Sequence, residues 1–135
     1  LLSKGLADRG CKLVISDIDP KGLAETVDGL KEFADSIVAQ HCDVSKEADC
    51  KAMVDSAMEK FGRVDIGVNN AGIAHSMAPM HTLDEATMDK QMAVNVKGVM
   101  FGMKHHAKTR QRPHFECELS CWSWWSAKRR SLCCR

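Results

Sequence analysis

Four short groups stand out by residue type and spacing: Asp17, Asp43-Val44, Asn69-Asn70-Ala71-Gly72 and Asn95. Their chemistry is that of holding a ligand. A carboxylate accepts hydrogen bonds from hydroxyls, and an Asn amide both donates and accepts. Ala71 and Gly72 present almost no side chain, so a ligand can approach the backbone there. Asn95 lies in Ala-Val-Asn-Val-Lys-Gly, inside an otherwise helical pattern. Asn is a poor interior helix residue because its amide competes for backbone groups, so it is either a surface accident or a placed polar group. Taken singly, Asn69–Gly72 also reads as a turn after a core strand, and Asp17 as a solvated turn carboxylate.

The residues between these groups place them. Leu1–Arg9 reads as a helix closed by Gly10, and Cys11–Ser16 as a β-rich strand ending in Asp17. Pro20 suits the first turn of a helix capped by Asp19 and running to about Ala34. Ser36–Gln40 is the next strand, ending in Asp43-Val44. Ser45 is expected to cap a helix through Phe61, with Cys50, Met53, Ala57 and Phe61 on one face and Gly62 closing it. Apolar residues at 64, 66 and 68 predict a strand buried on both faces that stops at Asn69-Asn70. Thr82–Glu85 reads as a capping box, followed by helix to about Lys108 with Met92, Val96, Val99 and Met103 on the core side.

Helices alternating with strands through short turns imply a parallel sheet with helices on its faces. The expected fold is therefore α/β: a three-layer, doubly wound parallel sheet of the Rossmann type. Asp17, Asp43, Asn69 and Asn70 would line the carboxyl edge of that sheet, where a nucleotide would lie. A carboxylate closing the second strand of such a unit accepts hydrogen bonds from an adenosine ribose and repels a 2′-phosphate. Asp17 thus favours NAD over NADP.

In this order and at these separations the residues resemble the short-chain dehydrogenase/reductase family, continuously from Leu1 to about Lys108. Val64-Asp65 and Asn95-Val-Lys-Gly are also typical of that family. The resemblance implies Asp17 at the adenosine ribose, with Ile18 beside it among the cofactor-binding residues. It implies Asp43 and Val44 flanking the adenine, and Asn70, Ala71 and Gly72 beside the nicotinamide ribose. Asn95 would belong to the catalytic tetrad and hold a water in a proton relay. The implied reaction is reversible hydride transfer between NAD(H) and a secondary alcohol or ketone, in a full-length form expected to be a homo-oligomer.

Two parts of the family pattern are absent. The first strand and its glycine-rich phosphate loop would precede Leu1. The family's Ser and Tyr-x-x-x-Lys would follow Lys108, yet the chain contains no tyrosine. The chain as given is therefore expected to be inactive. The missing strand would sit at the centre of the sheet, so two inner edges are expected to lack partners and the packing to be loose.

Composition divides the chain. Residues 1–103 hold 11 Lys/Arg against 16 Asp/Glu, whereas residues 104–135 hold 8 against 2. All three tryptophans and four of the seven cysteines follow residue 116. We therefore read residues 1–108 as a partial NAD(P)-binding domain and 109–135 as an atypical basic, Cys/Trp-rich tail. Its His and Cys spacings match no paired zinc motif, so no metal site is expected. Nor does a fold signal support nucleic-acid binding there. A displaced reading frame accounts for the tail better. Shifting by one base turns each Trp codon into Gly at 122, 124 and 125, and can restore a family-like serine strand and a tyrosine at 132.

No run of 18 apolar residues is present, so no transmembrane helix is expected, and the first residues lack a signal-peptide pattern. Scattered, odd-numbered cysteines suit reduced thiols in a cytoplasmic setting. A reading from another class stays open: a non-catalytic nucleotide-binding or interaction module with a Cys/His-rich basic tail.

Overall fold

The computed structural model of the chain describes residues 2–74 and 79–109. The expectations placed on residues 110–135, and on Ser76 in the loop after Gly72, lie outside the described residues.

Helix α1 (Leu2–Ala7) ends in a turn whose Gly10 takes φ +79°, a conformation open to glycine without strain. Strand β1 (Leu13–Asp17) follows, and Asp19 caps helix α2 (Pro20–Asp28) by accepting from the Lys21 and Gly22 N–H groups. The helix predicted to reach Ala34 stops at Asp28. Gly29 and Leu30 interrupt it, and Lys31–Ser36 continues as a 3₁₀ segment. Strand β2 (Ile37–His41) then pairs in parallel with β1, from Leu13 opposite Ile37 to Asp17 opposite His41.

Successive strand residues face opposite sides. Leu13 and Ile15 pack on Ala7, Leu30 and Ile37, which form one core. Ser16 faces the other side, where its hydroxyl meets the Met53 sulfur of helix α3 (Glu47–Phe61). Helices thus cover both faces of the strand pair, as in an incomplete Rossmann fold. Helix α3 begins two residues after Ser45. The Ser45 hydroxyl is taken by Asp43, so Lys46 stands at the N-cap with no side-chain bond. Gly62, at φ +74°, closes α3 as expected. Cys50, Val54 and Ala57 are its buried residues.

The predicted Val64–Val68 strand is not formed. Among the described residues the sheet has two strands, and residues 63–74 belong to no ladder. Ile66 is 61% and Val68 44% exposed. The physical reason is that a strand needs a neighbour: its backbone groups and its apolar side chains are satisfied only by pairing and coverage.

Helix α4 (Glu85–Met92) is capped by Asp84, which accepts from the Thr87 N–H at 2.7 Å. The predicted capping box starts two residues too early, because Thr82 instead closes a 3₁₀ turn onto the Pro79 carbonyl. The same helical rod continues through a π-helical turn (Ala93–Gly98) into α5 (Val99–Thr109). Val99 is buried as expected, but Met92 and Val96 are exposed. The wider π turn changes the angular advance, so residues at α-helical spacing across it do not share a face. Helix α5 packs on α3, where Glu47 accepts from Lys104 Nζ at 2.6 Å and from His105 Nε2 at 3.0 Å. No helix among the described residues is long and apolar enough to cross a membrane.

Candidate functional site

The parallel register brings the ends of β1 and β2 side by side. The Asp17 carbonyl accepts from the Cys42 N–H at 3.0 Å, one residue beyond the last ladder pair. Asp17 is exposed, and its Oδ1 accepts from the Asp19 N–H at 2.9 Å. Its Oδ2 carries no protein hydrogen bond among the described residues. Both Asp19 oxygens are committed to the helix cap. Asp17 is therefore the carboxylate with acceptor capacity for an outside hydroxyl. Ile18 beside it is exposed.

Asp43 follows β2 and is tightly held. Its Oδ1 accepts from the Ser45 N–H at 3.1 Å and hydroxyl at 2.7 Å, and its own N–H donates to Asp49 Oδ2 at 3.0 Å. The Ser45 hydroxyl, aided by Lys46, holds the Asp43 carboxyl below the usual 3.8. Val44 lies against Gly98 at the end of the π turn. Its carbonyl accepts from the Cys50 thiol at 3.5 Å. Cys42 and Cys50 are buried under this loop, and burial, with Cys50 close by, pushes the Cys42 thiol up to about 12. Such thiols are inert packing groups at neutral pH.

Asn95 is the centre of the other end. Its Nδ2–H donates to the Ile73 carbonyl at 2.8 Å, and its Oδ1 accepts from the Ile73 N–H at 2.9 Å. The amide satisfies the backbone of residue 73 as a neighbouring strand would. Two of its four hydrogen-bonding positions remain for other partners. Asn69 lies over Gly102 of α5: a Cβ on that glycine would stand 2.1 Å from Asn69 Oδ1. Asn70, Ala71 and Gly72 follow on exposed backbone.

The predicted residues thus fall into two fixed clusters. One is Asp17, Ile18, Asp43 and Val44 at the adjoining strand ends. The other is Asn70, Ala71 and Gly72, tethered through Ile73 to Asn95. Gly98 and Gly102 were not read as site residues. Their signal, two glycines four apart inside a helix, is weak without the loops that they seat. No cluster of metal-ligating side chains occurs among the described residues.

Asp17 thus offers an acceptor carboxylate beyond β1, and Ala71–Gly72 offer small residues on exposed backbone.

The family model described as Enoyl-(Acyl carrier protein) reductase matches residues 2–117. The chain is 40% identical over 103 residues to (+)-borneol dehydrogenase 2 of Salvia officinalis, covering 73% of this chain and 35% of that protein. Among solved structures, 3-ketoacyl-(acyl-carrier-protein) reductase from Brucella melitensis complexed with NADH has a TM-score of 0.73 and 40% identity. That match covers 80% of this chain and 43% of the other. A short chain dehydrogenase/reductase from Burkholderia phymatum in complex with NAD has a TM-score of 0.71 and 32% identity, over 78% of this chain and 39% of the other. The chain spans less than half the length of each. The family-model match over most of the chain, together with these relatives, shows that it belongs to the short-chain dehydrogenase/reductase family.

Proposed function

We propose that this chain supplies the cofactor-binding part of an oxidoreductase that moves a hydride reversibly between NAD(H) and a secondary alcohol or ketone. The observation that carries this reading is a pair of clusters: Asp17 beside the Asp43 loop at the adjoining strand ends, and the 70–73 backbone held by Asn95. The NADH and NAD complexes of the similar structures support a nicotinamide cofactor. When bound, the nicotinamide gives or takes the hydride.

This chain's residues bind and orient. Asp17 Oδ2 accepts from the adenosine ribose, and its charge opposes a 2′-phosphate. Asp43 and Val44 bound the adenine, with Ile18 on the same side. Asn70, Ala71 and Gly72 flank the nicotinamide ribose. Asn95 fixes that backbone and keeps amide capacity for one water in a proton path. The 135 residues contain no tyrosine, so the family's proton donor is not among them. The chain alone is therefore inactive in our reading. The substrate is a small molecule, the full-length form a homo-oligomer, and the unpaired Cys11, Cys42 and Cys50 suit a reducing cytoplasm.

The test is binding of NADH and AMP to the chain by ligand-observed NMR, with Asp17→Ala as control. Saturation transfer to the adenosine protons, weakened in the variant, supports the reading. No transfer with either ligand overturns it. Reading the coding DNA in all frames from codon 104 separates enzyme from non-catalytic module. One continuous frame giving Ser, Tyr and Lys marks the enzyme.

A further inference from the structure

We propose that Gly98 is a positioning residue for the adenine end of the cofactor, its missing side chain being the seat that fixes Val44. The assignment rests on the nucleotide reading above.

A Cβ built on Gly98 would lie 2.9 Å from Val44 Cγ2, 3.1 Å from Val44 Cβ and 3.2 Å from the Val44 carbonyl oxygen. Two of those three atoms are backbone or one bond from it, so a rotamer change cannot relieve the contact. The backbone itself does not ask for glycine. The only positive-φ glycines among the described residues are Gly10 and Gly62. At a helical position an alanine is intrinsically favoured over glycine. The demand for glycine at 98 therefore comes from Val44.

Three structures converge on the Asp43–Val44 loop. Ser45 holds Asp43 from within the turn. From α3, Asp49 accepts the Asp43 N–H and the Cys50 thiol reaches the Val44 carbonyl. Gly98 closes the third side and is buried. It is also the last residue of the π turn that carries Asn95, three positions earlier. One turn of helix thus touches both clusters: Asn95 sets residue 73, and Gly98 sets residue 44. The spacing between the adenine loop and the nicotinamide-side backbone is fixed by that turn.

The experiment compares the wild-type chain with Gly98→Ala, Val44→Ala and the double variant. Two quantities are read: the AMP dissociation constant by ligand-observed NMR, and the alkylation rate of Cys50 by iodoacetamide, resolved by mass spectrometry. The second needs no ligand: Cys50 is 1% exposed and its thiol lies 3.5 Å from the Val44 carbonyl oxygen. Gly98→Ala is expected to weaken AMP about tenfold, in keeping with overpacking of a tight contact, and to speed Cys50 alkylation several-fold. Removing the Val44 methyls relieves the closest contact, 2.9 Å at Cγ2, and leaves those at Cβ and the carbonyl oxygen. Gly98→Ala should therefore cost less in both quantities on the Val44→Ala background than on wild type, a non-additive cycle. Unchanged affinity and alkylation in Gly98→Ala overturn the proposal. Losses equally large on the Val44→Ala background also overturn it, since general helix damage is blind to one valine. If wild type binds no AMP while the alkylation pattern holds, the nucleotide reading fails and Gly98 is a packing residue only. If AMP binds wild type and variant alike, the nucleotide reading stands and only the Gly98 assignment falls.

Discussion

Asn95 closes a two-bond ring on the backbone of Ile73, donating from Nδ2 at 2.8 Å and accepting at Oδ1 at 2.9 Å. A helix side chain here does what a neighbouring strand would do, for a stretch of backbone that belongs to no ladder. The π turn around Asn95 fits this task, since such turns re-aim a side chain out of the regular helical register.

Asn95→Ala removes both bonds, and at about 0.5–1.5 kcal/mol net for each the local loss is about 1–3 kcal/mol. Hydrogen exchange at the Ile73 amide should accelerate accordingly, while amides of α3 keep their rates. Equal protection at Ile73 in variant and wild type would show that the ring holds nothing.

The carboxylate at 17 should decide between the two nicotinamide dinucleotides. In a version of the gene whose frame restores Ser, Tyr and Lys, kcat/KM with NAD should exceed that with NADP. Asp17→Asn should narrow the ratio by about tenfold, through loss of repulsion with a 2′-phosphate a few ångströms away. An unaltered ratio in the variant removes Asp17 from the ribose site.

As it stands, the 135-residue chain should not oxidise secondary alcohols with NAD. Absence of a positioned general acid alone costs about 10²–10⁴-fold. Turnover above a buffer blank that vanishes in Asn95→Ala contradicts this.

Acid should loosen the loop of Asp43. Its folded-state pKa lies below the ordinary 3.8, chiefly because of the Ser45 hydroxyl. A group depressed in this way contributes stability above its unfolded value, and loses it as pH falls through the folded value. Chemical shifts of residues 43–46 should therefore hold steady down to about pH 4 and move below it. Ser45→Ala should bring the onset to higher pH; an unchanged titration curve in that variant removes the hydroxyl as the cause.

Local chemistry made much of this legible in the sequence. Asp19-Pro20 announced the start of α2, Gly62 the end of α3, and Asp17 and Asp43 the sheet edge. Asn95 stood out because a helix interior disfavours it. What stayed hidden depends on partners remote in sequence. Nothing local to Val64–Val68 says whether a neighbouring strand lies beside it. Nothing near Gly98 or Gly102 names Val44 or Asn69 as the atoms that require a glycine. Likewise His105, only 6% exposed, is explained by Glu47, 58 residues earlier in the chain.

The free sheet edge gives the last prediction. Strand β1 pairs with β2 on one side, and among the described residues nothing pairs on the other. Residues 64–70 carry strand-type side chains with no ladder, leaving Ile66 and Val68 in solvent. Burial returns about 25 cal/mol per Å² of apolar surface, so each of these side chains forgoes about 1–2 kcal/mol. Domains hold only about 5–15 kcal/mol in all, and an unpaired flat edge also invites pairing with other chains. Amides of Val64–Asn70 should exchange almost as fast as in a free peptide, whereas α3 and the paired amides of β1 and β2 exchange more slowly. Thermal unfolding followed by circular dichroism should be broad, and the melting curve should shift with protein concentration. Protection at Val64–Asn70 equal to that of α3, together with a sharp concentration-independent transition, would show that the two-strand sheet is stable without a further partner.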